Sequence, residues 1–335
     1  MARAQTALVL GATGGIGGEV ARQLRDGGWE VKALKRGMAS QSERRDGITW
    51  LQGDALNAAD VRRAAEGCAV IVHAVNPPGY RRWAELVLPM LDNTIAAAAG
   101  TGATIVLPGT VYNYGPDAFP MLDEDAPQNP VTRKGAIRVE MECRLQRHAK
   151  QGGRVLIVRA GDFFGPQAGN NWLSQGLIQP GKPVSRIQNP AQPGVGHQWA
   201  YLPDVARTMV ALLAQRETLA PFATFHMAGF WDADGRQMAQ AIQRVAARHG
   251  GEPRISAFPW WLIRCIAPFN TTLRELLEMR YLWRQPVQMI NTKLQGVLGQ
   301  EPNTPLDEAV EATLRGLGCL GPIDSTEAGR GVVAA

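Results

Sequence analysis

The chain has 335 residues, enough for one large α/β domain or two coupled ones with a sizeable core. Its 35 Lys and Arg against 30 Asp and Glu leave a formal charge of +5, spread in pairs such as Arg44-Arg45 and Arg62-Arg63, so no nucleic-acid partner is expected. Cys68, Cys143, Cys265 and Cys319 lie far apart with no CxxC pair, which argues against a disulfide scaffold and a metal site. No leader-like N-terminus is present, and no uninterrupted apolar run reaches about 18 residues, so a cytoplasmic protein without a membrane span is expected.

Thr6 to Leu10 is a short apolar run, followed at once by Gly11-Ala12-Thr13-Gly14-Gly15-Ile16-Gly17-Gly18 and a helical stretch, Glu19 to Arg25. Strand, glycine turn and helix open a dinucleotide-binding fold. Gly11 permits the tight turn, Gly14 lets the backbone approach a pyrophosphate, and Gly17 lets helix and strand pack closely. Thr13, Gly15 and Ile16 fall in the same cradle, where the helix start offers N–H groups to phosphates. A second strand, Glu30 to Leu34, ends in Lys35-Arg36. NAD-selective sites carry an acidic residue here for the ribose 2′-hydroxyl, whereas two cations suit a 2′-phosphate. NADP is therefore expected, with NAD as the alternative.

Further strands are expected at Thr49 to Gln52, Val70 to Ala74, Thr104 to Leu107 and Val155 to Arg159. Helices are expected at Ala58 to Glu66, Trp83 to Ala99 (interrupted at Pro89) and Arg133 to Lys150. The alternation implies a parallel sheet covered on both faces. Segments 115–130 and 179–196 read as loops near the ligand crevice, and 321–335 as a disordered tail.

The GxxGxxG spacing resembles the short-chain dehydrogenase/reductase superfamily. Asp54 after Gly53 stands where that superfamily contacts adenine, and Val111-Tyr112-Asn113 resembles its VYG segment. Arg159 to Pro166 is similar to the RxxxxYGP stretch of extended members, Tyr201 to Ala206 to their YVDDVA segment, and Gly299 to Glu308 to their LGxxPxTPLxE ending. The likeness covers about residues 5–318 and is that of the NAD-dependent epimerase/dehydratase family. It implies a Rossmann-type doubly wound parallel sheet, formed by 1–167 and 195–220, and a smaller C-terminal substrate domain, formed by 168–194 and 221–320. It also assigns Ala55 and Ala74-Val75-Asn76 to the cofactor.

The resemblance breaks at the catalytic set, a Ser or Thr, a Tyr and a Lys four residues on, in which the Tyr moves the proton. The pattern PxxxYGxxK, with a Glu four residues after its Lys, falls on Pro130, Gly135 and Glu142, which puts Lys134 at the Tyr position and Arg138 at the Lys position. The hydroxyl position falls on Pro108. Lys134 and Arg138 lie one helical turn apart. Lys134 could donate a proton to a carbonyl oxygen and touch the cofactor, Arg138 could grip the ribose, and Tyr112 could supply a hydroxyl, with Thr110 and Tyr114 nearby. The competing readings are a dinucleotide sensor without turnover and a merely solvated helix face.

On the substrate side, the position where nucleotide-sugar enzymes of this likeness hold a diphosphate with Arg carries His197. Trp172, Trp199, Trp231, Trp260 and Trp261 fall near or within the substrate domain, where they would suit an apolar or aromatic ligand if they are not core. Phe258 to Phe269 reads as core, with an amphipathic lid or membrane-surface helix as the alternative. The expectation is an NADP-dependent oxidoreductase for a small carbonyl or alcohol compound, in a chain that could form a homodimer. The alternatives are a non-catalytic NADP sensor and a sugar epimerase or dehydratase.

Overall fold

Alternating apolar residues divide the main core into two layers. The computed structural model describes residues 5–77, 82–167, 171–269 and 271–320. The first strands are β1 (Thr6–Leu10), β2 (Glu30–Lys35), β3 (Ser42–Arg45), β4 (Ile48–Gln52), β5 (Val70–His73), β6 (Thr104–Gly109), β7 (Met121–Leu122) and β8 (Val155–Arg159). Then follow β9 (Asp162–Phe164), β10 (Arg186–Asn189), β11 (His197–Tyr201), β12 (Phe222–His226), β13 (Phe230–Asp232), β14 (Arg254–Ala257) and β15 (Gln288–Met289). The helices are α1 (Gly15–Asp26), α2 (Ala58–Ala65), α3 (Trp83–Thr101), α4 (Arg133–Lys150), α5 (Leu202–Ala214), α6 (Gln237–Arg248), α7 (Trp260–Ile266), α8 (Thr271–Glu278), α9 (Thr292–Leu298) and α10 (Leu306–Gly316).

Eight strands form one sheet in the order β12-β8-β6-β5-β1-β2-β4-β3, parallel except at β3. Ala7, Val9, Val70, Val72, Val106, Leu156 and Val158 point to the layer built with α1, α5 and Leu294 of α9. Leu8, Leu10, Ile71, Ile105, Leu107 and Ile157 point the other way, onto α2, α3 and α4. This is the doubly wound α/β sheet the sequence implies. Its strand order reverses beside β1, where β2 lies on one side and β5 on the other. Open α/β sheets bind ligands at that point, outside the carboxyl ends of the strands.

Several expectations need correction. Pro89 does not interrupt its helix: α3 continues to Thr101 because Val87, Met90, Leu91, Ala97 and Ala98 bury along it, which offsets the lost hydrogen bond. The edge strand β3 was not expected, since Ser-Glu-Arg-Arg is exposed throughout and carries no apolar alternation. Segments 115–130 and 179–196 hold β7 and β10 within their loops. The domain division also shifts, because β12 pairs with β8 as the last strand of the main sheet and Leu294 enters the main core. The sequence-based division puts both segments in the smaller unit. That unit keeps its own core, where α6 and α10 pack with Trp172, Trp199 and Trp283. Phe258 to Phe269 is not core as a whole: α7 contains no buried residue. The tail expected to be disordered, 321–335, lies outside the described residues. Among the described residues no helix is long and apolar enough to cross a membrane.

Candidate active site

At the carboxyl end of β1 the glycines do separate work. Gly11 has φ +90, and a Cβ there would lie 2.5 Å from the Ala74 carbonyl oxygen, so only glycine permits this turn against the end of β5. A Cβ on Gly17 would lie 2.3 Å from the Gly11 carbonyl oxygen, which fixes how closely α1 approaches the turn. Gly14 stands at the N-cap of α1 without any side-chain cap, so the first-turn N–H groups are left for a ligand. Thr13 is exposed and Gly15 and Ile16 are half-buried along this opening. These residues fit the pyrophosphate of a dinucleotide.

The other expected cofactor residues gather on the same edge, at the ends of β2, β4 and β5. Lys35 lies with its ammonium 5.8 Å from the Trp50 ring centroid, while the exposed Arg36 reaches to 4.0 Å from an Asp54 carboxylate oxygen. The other Asp54 oxygen accepts from the Leu56 N–H at 3.0 Å. Ala55 is buried, and its carbonyl accepts from Asn93 at 2.9 Å. Ala74 donates its N–H to Leu10 at 2.9 Å, Val75 packs on the α2–α3 layer, and Asn76 accepts from the Trp83 indole N–H.

Trp83 joins this edge to the expected catalytic residues, because the Arg138 guanidinium lies 5.5 Å over its ring. Thr132 caps α4 by accepting from the Gly135 N–H at 3.0 Å, which starts the helix where the sequence expects it. A Cβ on Gly135 would lie 2.2 Å from the Tyr112 carbonyl oxygen. The start of α4 is thus pressed onto the Val111–Asn113 turn after β6. Lys134, only 5% exposed, Arg138 one turn on and Tyr112 therefore belong to one corner, beside the last cofactor segment.

The two nearby hydroxyls have other duties. Tyr114 is fully buried, and its hydroxyl faces His226 Nε2 at 3.0 Å. The other ring nitrogen, Nδ1, faces the Leu122 carbonyl at 3.3 Å, so it carries the proton and the tyrosine donates. Burial pushes the Tyr114 phenol up to about 12 and the His226 imidazole down to about 3. Tyr114 is therefore no spare proton donor. Thr110 caps its turn by accepting from the Tyr112 N–H at 3.3 Å. Beneath the corner, Glu142 and Arg159 form a buried ion pair, with the guanidinium 5.3 Å over the Tyr114 ring. Gln128 donates to Glu142 at 3.2 Å and accepts from Asn113 at 3.0 Å. Sequence spacing brought out Glu142 and Arg159, but the Tyr114–His226 pair, 112 residues apart, had no local signal.

His197 is built into the protein. Its ring stacks on Trp283 at 3.6 Å, Nε2 meets Asp162 at 2.9 Å, and Nδ1 faces the Leu282 carbonyl at 3.3 Å. No nitrogen remains to clamp a diphosphate. Of the five tryptophans, Trp172 and Trp199 are core, Trp231 and Trp260 are half-buried, and Trp261 is exposed.

Comparison with known proteins places this geometry. The sequence pattern of the NAD-dependent epimerase/dehydratase family matches residues 7–228. No curated protein matches the chain by sequence. Among solved structures, UDP-N-acetylglucosamine 4-epimerase from Bacillus cereus is 15% identical, with a TM-score of 0.69 over 92% of this chain and 97% of that one. UDP-glucuronic acid 4-epimerase from Bacillus cereus, solved with UDP-glucuronic acid and NAD, is 15% identical, with a TM-score of 0.70 over 93% and 99%. The Bordetella bronchiseptica enzyme WbmH with NAD+ is 17% identical, with a TM-score of 0.66 over 93% and 98%. At these identities the likeness is one of fold. With two-thirds of its length matched by the family pattern, the chain belongs to the NAD-dependent epimerase/dehydratase family.

Proposed function

We propose that the chain is a nicotinamide-dinucleotide-dependent oxidoreductase acting on a small apolar or aromatic carbonyl or alcohol compound. The observation that carries this reading is Lys134, a buried lysine at the start of α4, where Gly135 lets the helix press onto the Tyr112 turn, in the corner where the family resemblance expects a proton-transferring tyrosine. Gly11, Gly14 and Gly17 would hold the pyrophosphate, Asp54 the adenine end, and Asn76 and Arg138 the ribose end. The bound dinucleotide supplies or takes the hydride. Lys134 would give its proton to the substrate oxygen during reduction, or, as the neutral amine, take the hydroxyl proton during oxidation, with Tyr112 orienting that oxygen.

A second reading, a nucleotide-sugar epimerase, is favoured by the sugar nucleotides that the solved neighbours are named for. The engaged His197 weighs against it, since a site built for a diphosphate needs a free cation. A screen of carbonyl compounds for NADH and NADPH consumption by the purified chain tests both. Turnover of aryl or alkyl carbonyls bears the proposal out, and turnover of a UDP-sugar overturns its substrate class. Tight cofactor binding with silence across the screen would make the protein a dinucleotide sensor.

A further inference from the structure

The segment after β14 shows solvent the side that an ordinary helix hides. Along α7 and the turn that follows, Trp261, Leu262, Ile266 and Phe269 are exposed, Trp261 to 71% and Phe269 to 91%. Spacings of four and seven residues put Leu262, Ile266 and Phe269 on one face, with Trp261 beside them. Ala267, the residue that buries, points the opposite way. Scattered apolar residues on a surface are ordinary, but four large ones on one stripe mark a contact site.

The charge on the side of α7 away from the stripe, where Arg264 falls two residues after Leu262, says what kind of contact. Arg264 and Arg284 are exposed, and Arg280 lies 4.9 Å over the Trp260 ring. Burial first, then the guanidiniums of Arg284 and Arg264, hold Arg280 below its usual value, so the three cations crowd together. Among the described residues no carboxylate comes within ion-pair distance of any of them. Glu278, the nearest acid in sequence to Arg280, is spent on the Arg133 N–H at 2.6 Å. A second copy meeting this face about a two-fold axis would set these arginines against themselves.

We propose that this face docks the chain on an anionic lipid surface, with Trp261, Leu262, Ile266 and Phe269 entering the interface and Arg264, Arg280 and Arg284 meeting the headgroups. Tryptophan and long aliphatic side chains beside arginine suit the interfacial zone, where apolar burial and attraction to anionic lipid add. The inference uses none of the residues assigned to the dinucleotide corner and does not depend on the reaction proposed there.

Co-sedimentation of the full chain with phosphatidylcholine vesicles, with and without phosphatidylglycerol, tests it. Binding to the anionic vesicles should exceed binding to neutral ones by about tenfold or more and weaken as salt rises. Trp261→Ser with Phe269→Ser, and separately Arg264→Glu with Arg284→Glu, should each lower it by about tenfold or more. Melting temperature and dinucleotide affinity should not change, because all four side chains are exposed and lie outside the dinucleotide corner. No pelleting with either vesicle overturns the proposal, as does equal, salt-independent binding to both. Concentration-dependent dimers that Phe269→Ser abolishes would also overturn it and make the face a contact between copies.

Discussion

The two ends of the ligand edge are built by different means. Around β1, β2 and β5 the dinucleotide cradle is made of backbone: absent Cβ atoms at Gly11 and Gly17, and an uncapped helix start. Around β6 and α4 the backbone frame is kept just as closely, by Gly135 against Tyr112 and by the Thr132 cap, while the side chains expected on it are replaced. A frame set by glycines and caps tolerates a change of chemistry on the side chains it carries. The fold therefore does not reveal the reaction, and the residues of the α4 corner must be tested themselves.

The largest expected effect falls on that corner. Lys134→Ala should lower turnover by about 10²–10⁴-fold, the usual share of a general acid, while dinucleotide affinity measured by titration calorimetry stays the same. Full activity in that variant would show that only the frame survives there and that Tyr112 must move the proton. Next in size is the ion pair under the corner. Glu142→Leu leaves the Arg159 charge buried and unpaired, at a cost of about 3–5 kcal/mol, a drop of roughly 10 °C in Tm. Adding Arg159→Met should restore most of that loss, because an apolar pair of similar volume needs no compensation. A double variant as unstable as the single one would mean that the pair fixes the frame through the Tyr114 ring and not through its charge.

Legibility in the sequence divides along the same line. The parallel strands, the glycine turn and α4 from Arg133 to Lys150 could all be read, because apolar period, glycine spacing and a Thr cap are local signals. The departures at Pro108, Lys134 and Arg138 could be read too, against anchors at Pro130, Gly135 and Glu142. What escaped depends on distant partners. His197 is explained only by Asp162, Leu282 and Trp283, and Tyr114 only by His226. The exposed β3 escaped because it lacks apolar alternation, while α7, for which the sequence keeps a surface helix only as the alternative, reads first as core because an apolar stripe normally means that.

The two ends also each bury a neutral histidine, and acid should report on both. His73 ends β5 at the cofactor side, with Nδ1 2.8 Å from the Thr94 hydroxyl, and His226 lies under the α4 corner. Burial, with Arg138 for His73 and Arg159 for His226, brings both from the ordinary 6.5 to about 3. Between those values the unfolded chain binds protons that the folded chain does not. Stability is therefore full above about pH 6.5 and falls as pH drops toward 3, by about 1.4 kcal/mol per pH unit for each histidine. Denaturant titrations at pH 6.5, 6.0, 5.5 and 5.0 (values chosen as roughly above the main carboxylate range) should show the slope flatten in His73→Gln and again in His226→Gln. A slope lost entirely in one variant would mean that one end alone unfolds with acid.

The smallest effect tests the most exposed part of the cradle. Lys35 and Arg36 together favoured a 2′-phosphate in the sequence, but the structure separates them. Lys35 leans over Trp50, and Arg36, its side chain 67% exposed, shares its charge with Asp54 at 4.0 Å. One screened guanidinium near a carboxylate is a weak phosphate anchor. Arg36→Ala should therefore weaken NADP(H) by only about five- to tenfold, within the contribution of one charge-assisted hydrogen bond, and leave NAD(H) unchanged. Asp54→Asn should raise the affinity for NADP(H) relative to NAD(H) by a similar or smaller factor, since it removes the carboxylate that competes for Arg36, while the lost adenine contact weakens both cofactors alike. Calorimetric titration of both cofactors into both variants separates the outcomes. Equal losses for NAD(H) and NADP(H) in Arg36→Ala would place the arginine on the adenine or the pyrophosphate, not on the 2′-position. The cofactor end would then discriminate through its backbone alone, and its contrast with the α4 corner would be complete.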